Sequence, residues 1–138
     1  MRIPFARQAL PLLSCVLLCA CAAQNYDGAK SSLSTRQRSF VAAMPAATAL
    51  REIKNAAEKC AAGEGANLIQ ERRSAKNGFD ELSIVTRDGN SAVLLAAIEI
   101  SSLDAKTARV NVIWNRWRWK HDERLVEKWS QGFAVCSI

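Results

Sequence analysis

Two dipeptides near the middle of the chain, Asn77-Gly78 and Asp88-Gly89, restrict its fold more than any other feature. Both favour a type I′ turn, which needs positive φ at its two central residues and joins antiparallel strands. Strand-forming runs precede them, from Asn67 to Lys76 and from Phe79 to Arg87. A third run, Ser91 to Ile100, follows the second turn. We therefore predict an antiparallel β-meander here.

The last two strands of this meander carry different apolar patterns. Between Ser91 and Ile100 apolar side chains occupy both sets of alternate positions, so we expect a central strand covered on most of both faces. The fourth strand starts near Lys106, and Val110, Val112 and Trp114 share one of its faces. Beyond Trp114 the tryptophans change parity, which indicates either a β-bulge near Asn115 or a strand that continues past the core.

An amphipathic helix is predicted at residues 46–62, ahead of the meander. Pro45 suits the first turn of a helix, and Gly63 and Gly65 would end it. The core-facing side chains recur every three or four residues, at Leu50, Ile53, Ala57 and Cys60. A second short helix is predicted at residues 122–131, with a strand from Arg124 to Trp129 as the alternative.

These elements predict an α+β fold in which the two helices pack on one face of a four-stranded antiparallel meander, as a two-layer sandwich. Arg36 to Ala43 is expected to add an N-terminal edge strand. Phe133 to Ser137 is expected to add a C-terminal strand that returns Cys136 to the first helix. Arg72 and Arg73 are explained equally by a charged sheet edge that resists unwanted pairing and by an extension of the arginine–tryptophan segment described below.

The first 21 residues have the layout of an export signal. Arg2 and Arg7 form a short basic leader, a nearly continuous apolar run follows, and small residues precede Cys21. The apolar run is too short to cross a bilayer as a permanent helix. The junction Leu18-Cys19-Ala20-Cys21 resembles the lipobox of bacterial lipoproteins. That resemblance implies that residues 1–20 are removed, that the sulfur of Cys21 is diacylated and that its new amino group is acylated.

The same resemblance implies a location and a domain organisation. Ala22, in place of Asp, implies sorting to the outer membrane, where the acyl chains anchor the protein with its domain in the periplasm. Residues 21–35 are then expected to be a flexible tether and residues 36–138 a single domain. Two alternatives stay open: cleavage before Cys15, within Leu12-Leu13-Ser14-Cys15, and an ordinary signal peptide that releases a soluble protein.

The charge of the chain favours anionic partners. It carries 19 basic and 13 acidic side chains, a net charge of +6, and loss of Arg2 and Arg7 with the leader leaves +4. This mild excess favours lipopolysaccharide phosphates or acidic protein surfaces. Nucleic acid is not an expected partner, because an exported protein rarely meets it.

The cysteines that remain after processing are predicted to form a disulfide. Loss of Cys15 and Cys19 and lipidation of Cys21 leave Cys60 and Cys136 in an oxidising compartment. On the chain-entropy account such a bond stabilises the fold by about 4–5 kcal/mol. The alternative, a metal site formed by both thiols and the sole histidine, has no local ligand spacing to support it. We expect no metal and no cofactor.

Few residues are suited to catalysis. His121, the only histidine, lies in a charged turn and is expected to be an ordinary solvated side chain. Glu99 falls late in an apolar strand, so it is either a perturbed carboxylate or a strand-end side chain that reaches solvent. The second is more common, and we expect it here. The sequence contains no metal-binding His-Glu-x-x-His, phosphate-binding Gly-rich loop or Gly-x-Ser-x-Gly motif. We therefore predict that the protein is not an enzyme, with a sugar-active or hydrolase-like enzyme as the alternative.

One segment has a composition suited to binding, and it consists of Arg116, Trp117, Arg118, Trp119 and Lys120. Interleaved Arg and Trp suit stacking on sugars, a lipid headgroup layer or a protein interface. The competing interpretation is that Trp114, Trp117 and Trp129 are core residues whose edges the arginines cover. We predict a non-enzymatic envelope lipoprotein that binds an envelope protein, lipopolysaccharide or peptidoglycan through this segment.

Overall fold

The computed structural model describes residues 35–62, 67–74 and 78–137. They form a five-stranded antiparallel sheet and two helices. In chain order the elements are β1 (Thr35–Ala42), α1 (Ala46–Cys60), β2 (Leu68–Ser74), β3 (Phe79–Asp88), β4 (Ser91–Ser102), β5 (Ala108–Asn115) and α2 (Leu125–Ser130). The predicted signal peptide, the lipidated Cys21 and nearly all of the tether lie outside the described residues, as do Gly63 and Gly65.

The strands lie in the order β1-β5-β4-β3-β2. The last four strands of the chain form the predicted meander, but the sheet has five strands because β1 pairs with β5 along its whole length. That pairing runs from Thr35 opposite Asn115 to Ala42 opposite Ala108. Since β1 and β2 occupy opposite edges, α1 connects one edge of the sheet to the other.

Helix α1 forms where its apolar spacing predicts. The carbonyl of Pro45 accepts hydrogen bonds from the backbone N–H groups of Thr48 and Ala49, at 3.0 and 2.9 Å. The four side chains predicted to face the core are buried, together with Ala49 and Ala56. The helix ends at Cys60 rather than at residue 62.

The main core lies between the helices and one face of the sheet. Ile53 of α1 and Trp129 of α2 are both fully enclosed, and they belong to one apolar cluster with side chains of β3, β4 and β5. The sheet contributes Leu82, Ile84, Ile98, Ile100, Val110 and Val112 to this cluster. A second, smaller cluster forms on the opposite sheet face from Val85, Leu94, Ala97 and Ile113.

Strand β4 is central and buried on both faces, as its two-sided apolar pattern predicts. It also contains the bulge of the sheet. Leu94 lies opposite Val85 and Ala96 lies opposite Ile84, so Leu95 is skipped in the pairing. The predicted bulge near Asn115 is therefore wrong, and so is a strand that continues beyond it, because β5 ends at that residue. Because β4 carries apolar residues on both faces, the inserted Leu95 does not interrupt its apolar pattern. The sequence pattern therefore could not reveal this bulge.

The turn between β3 and β4 is a two-residue hairpin turn, displaced by one residue from its predicted position. Asp88 pairs with Ser91, so the central residues are Gly89 and Asn90 rather than Asp88 and Gly89. Of these two only Gly89 has positive φ, at 61°. That is the arrangement of a type II′ turn, which requires glycine at its first central position.

The C-terminal region contains one predicted element and lacks another. Residues 125–130 form α2, so the alternative strand from Arg124 to Trp129 is wrong. Phe133 to Ser137 is not a strand. This segment is joined to α1 through the pair Cys60 and Cys136, whose sulfur atoms lie at disulfide distance, and not by pairing with a sheet edge. These are the two cysteines that the sequence predicts to be bonded.

Candidate functional site

The segment from Arg116 to Lys120 folds as a turn that Asn115 organises. The Oδ1 atom of Asn115 accepts hydrogen bonds from the backbone N–H groups of Trp117 and Arg118, at 3.0 and 3.2 Å. Its backbone carbonyl accepts from the N–H of Trp119 at 2.9 Å. Such a side-chain-to-backbone bond gives the chain an alternative to the strand ladder. The alternation of side chains between the two faces of a strand therefore does not apply to these five residues.

This turn separates the two tryptophans. Trp117 is 74% exposed, whereas Trp119 is 9% exposed and belongs to the main core. The ring of Trp119 meets His121 edge-on, with centroids 4.8 Å apart, and lies 6.5 Å from the ring of Trp129. Trp114 is buried, with 6% of its surface exposed. The core interpretation is thus correct for Trp114 and Trp129 and wrong for Trp117.

A cleft of about 290 Å³ opens beside Trp119, and we call it the basic cleft. One wall consists of the consecutive residues 118–121, whose side chains are those of Arg118, Trp119, Lys120 and His121. The remaining lining residues are Ala61, Asn67, Thr86 and Leu95. Asn67 is held there because its Nδ2 donates to the carbonyl of Ala61 at 2.9 Å. The described lining residues include no carboxylate.

Arg118 is held only weakly at the basic cleft. The Nη2 atom of Arg118 lies 2.9 Å from Oδ2 of Asp88, and both side chains are about half exposed. Exposed pairs of this kind contribute about 0–1 kcal/mol, so an incoming anion can compete with Asp88 for the guanidinium. Arg116 places its guanidinium 4.7 Å from the centroid of the exposed Trp117 ring. The segment is therefore positively charged and presents one aromatic ring to solvent.

The cleft also corrects the expectation for His121. The side chain is half-buried, lines the cleft and contacts Trp119, so it is not an ordinary solvated histidine. Periodicity could not find this contact, because it depends on how the turn after β5 folds back toward α1.

Glu99 lies on the other face of the sheet, in a row of polar residues that crosses all five strands. Neighbours in the row are directly opposite one another in the strand pairing. From β1 to β2 the row consists of Ser39, Asn111, Glu99, Glu81 and Arg72. The Nδ2 atom of Asn111 donates to Oε1 of Glu99 at 2.9 Å, so this side chain is half-buried and bonded rather than at a solvated strand end.

Glu81 is the most enclosed member of this row, at 1% exposure. No motif or spacing in the sequence singles it out. Its Oε2 accepts from Nη2 of Arg72 at 2.7 Å and its Oε1 from the hydroxyl of Ser83 at 3.1 Å. These donors offset the cost of removing a charge from water. Arg72 and Arg73 both lie on the edge strand β2, as predicted, but each pairs with a carboxylate of β3.

No group of three or more metal-binding side chains occurs in the ranges that the structure describes. Within those ranges no helix combines the length and the apolar character needed to cross a bilayer. Comparison with protein families, with curated proteins and with solved structures finds no match to this chain.

Proposed function

We propose that the mature chain is a lipid-anchored lipoprotein of the bacterial outer membrane, and that its periplasmic domain binds the anionic head of an envelope glycolipid in the basic cleft. The lipobox-like junction that ends at Cys21 supports the anchor. The observation that carries the binding role is the composition of the cleft wall. Arg118, Lys120 and His121 flank the aromatic ring of Trp119 in one concave site.

The chemistry of these residues suits a phosphorylated sugar. A guanidinium can donate two parallel hydrogen bonds to a phosphate, and a lysine ammonium adds a mobile positive charge. Trp119 supplies an apolar surface to the cleft, against which the carbon atoms of a sugar can pack. Asn67 and Thr86 add an amide and a hydroxyl to the lining. A bound phosphate would displace only the exposed Asp88 from Arg118.

A binding role is supported by the same lining. Arg118 and Lys120 supply positive charge, and Asn67 and Thr86 supply an amide and a hydroxyl. These groups can orient an anionic ligand, and we assign the cleft to recognition.

The test measures binding of the full lipidated chain to the phosphorylated disaccharide of lipopolysaccharide and to its dephosphorylated form, by isothermal titration calorimetry. Arg118→Gln should weaken binding of the phosphorylated ligand by about 10- to 100-fold, since a charge-assisted hydrogen bond contributes about 1.5–3 kcal/mol. Lys106→Gln is the matched control, because this exposed lysine lies in the β4–β5 turn outside the cleft. Equal affinity for the two ligands would refute the phosphate site.

The anchor is tested separately by intact-mass measurement of the native protein. A chain that begins at Cys21 and carries acyl mass supports the lipoprotein assignment. A chain without acyl mass, recovered in the aqueous fraction, contradicts it.

A further inference from the structure

The end of the domain that holds the basic cleft is also the end at which the preceding chain enters it. Thr35, the first residue of β1, lies directly opposite Asn115, which organises the turn that displays Trp117. Thirteen residues separate Thr35 from Cys21. At about 3.3–3.6 Å per residue they span no more than about 50 Å. An anchor at Cys21 therefore keeps this end of the sheet within about 50 Å of the membrane.

Trp117 is displayed at that end in a way that no packing requirement explains. Its side chain is 74% exposed, although the backbone that carries it is fixed by the Asn115 hydrogen bonds. A single exposed apolar side chain is ordinary on a protein surface, so the neighbours of the ring matter as well. Arg116 stacks over the ring and has no acidic partner among the described residues. An amphipathic ring next to an arginine is typical of side chains at the level of lipid headgroups.

Other exposed apolar side chains are found at the same end. Leu68, 45% exposed, begins β2 next to Asn67 of the cleft. Phe133 and Val135, 57% and 40% exposed, lie on the tail that Cys136 joins to α1. Lys59 reaches this tail, since its Nζ lies 3.4 Å from the carbonyl of Ala134. Scattered apolar tips among cations match an anionic lipid surface better than a protein interface, which buries a contiguous apolar centre.

We infer that Trp117 and Arg116 contact the anionic headgroup layer of the membrane to which Cys21 is attached, and so hold the basic cleft facing that membrane. This inference rests on the proposed lipid anchor and extends it from a tether to a defined orientation. The ring lies at the headgroup level and the guanidinium contacts lipid phosphate. A cleft held in this way faces the headgroup layer of that membrane.

The test introduces the photo-crosslinker p-benzoylphenylalanine at position 117 of the full chain in its native envelope. The matched control carries it at Leu103, which is 43% exposed in the turn at the opposite end of β5. Mass spectrometry after irradiation should find lipid adducts at position 117 at least about fivefold more often than at position 103. Equal lipid labelling at both positions, or protein adducts dominating at 117, overturns the inference.

A second measurement uses the tryptophan itself. The lipidated chain is reconstituted into vesicles of phosphatidylethanolamine and phosphatidylglycerol that carry bromine near the headgroup. Quenching of tryptophan fluorescence should be largely lost in Trp117→Phe, because Trp114, Trp119 and Trp129 are buried. Quenching that persists in this variant contradicts the contact.

The two proposals fail in different ways. A chain that lacks acyl mass removes the anchor and this orientation together. A lipidated chain that binds phosphorylated disaccharide, yet labels no lipid at position 117, removes the orientation alone.

Discussion

The indole N–H of Trp129 donates a hydrogen bond to the backbone carbonyl of Val135 at 2.8 Å, one residue before Cys136. This bond ties the C-terminal tail to α2, while the cysteine ties the same tail to α1. Trp129 in turn packs edge-on against Trp119, a wall of the basic cleft. The tail, the disulfide and the cleft are therefore mechanically connected through two tryptophan rings.

The first prediction concerns the disulfide. Cys136→Ser should lower the free energy of unfolding by about 2–5 kcal/mol, because the tail is no longer held and the unfolded chain is no longer constrained. Urea unfolding followed by circular dichroism measures the change. Reduction of the unaltered chain should reproduce it, whereas Cys136→Ser itself should not respond to reductant. A wild-type unfolding midpoint that reductant leaves unchanged would contradict the bond.

The second prediction compares the two neighbouring tryptophans of the segment. Trp119→Ala should cost about 3–5 kcal/mol, as expected for removal of a buried ring from the core. Trp117→Ala should change stability by no more than about 0.5 kcal/mol, because its ring is largely exposed. Thermal unfolding of both variants tests the assignment, and similar losses in the two would contradict it.

The third prediction concerns the side chain of Asn115, which organises the turn after β5. Asn115→Ala removes the side-chain acceptor for the N–H groups of Trp117 and Arg118, and should cost about 1 kcal/mol. Asn115→Asp retains an acceptor at the same position and should restore most of that stability. Chemical denaturation of the three proteins measures the difference. Equal losses in both variants would mean that the turn does not depend on this acceptor.

The fourth prediction uses adjacent arginines of β2. Arg72 pairs with a carboxylate whose side chain is 2% exposed, whereas Arg73 pairs with that of Asp80, which is 20% exposed. Arg72→Ala should cost about 1–3 kcal/mol, because a buried charge loses a donor. Arg73→Ala should cost less than about 1 kcal/mol. Unfolding free energies at one ionic strength test the order, and a reversed order would refute it.

The fifth prediction concerns acid. A hydrogen bond from the hydroxyl of Thr107, followed by one from the backbone N–H of Lys106, holds the pKa of Asp104 below its ordinary value of 3.8. A carboxyl whose pKa is lower in the folded state contributes stability above pH 3.8, and loses it as the pH falls through the folded pKa. Thr107→Val removes the largest cause, so the pKa of Asp104 should rise toward 3.8, as followed by carboxyl NMR titration. An unchanged titration would show that the hydroxyl has no effect.

Local patterns in the sequence predicted much of the fold. The spacing from Leu50 to Cys60 predicted α1, and the two-sided apolar run predicted a central β4, because both patterns depend on residues close together in the chain. The pairing of Cys60 with Cys136 was predicted from the expected export to an oxidising compartment and from elimination of the other cysteines. These features can be predicted without knowing which surfaces pack together in the folded protein.

Tertiary structure decided the rest. Trp117 and Trp119 are two residues apart and would lie on the same face of a strand, yet Trp117 is exposed and Trp119 is buried. The reason is that β5 ends at Asn115, whose side chain turns the chain before either tryptophan. The cleft forms only where the skipped Leu95, the end of α1 and this turn converge. The enclosure of Glu81 beside Arg72 likewise requires the pairing of β2 with β3. Burial of a side chain depends on what packs over it, and that partner is distant in the sequence.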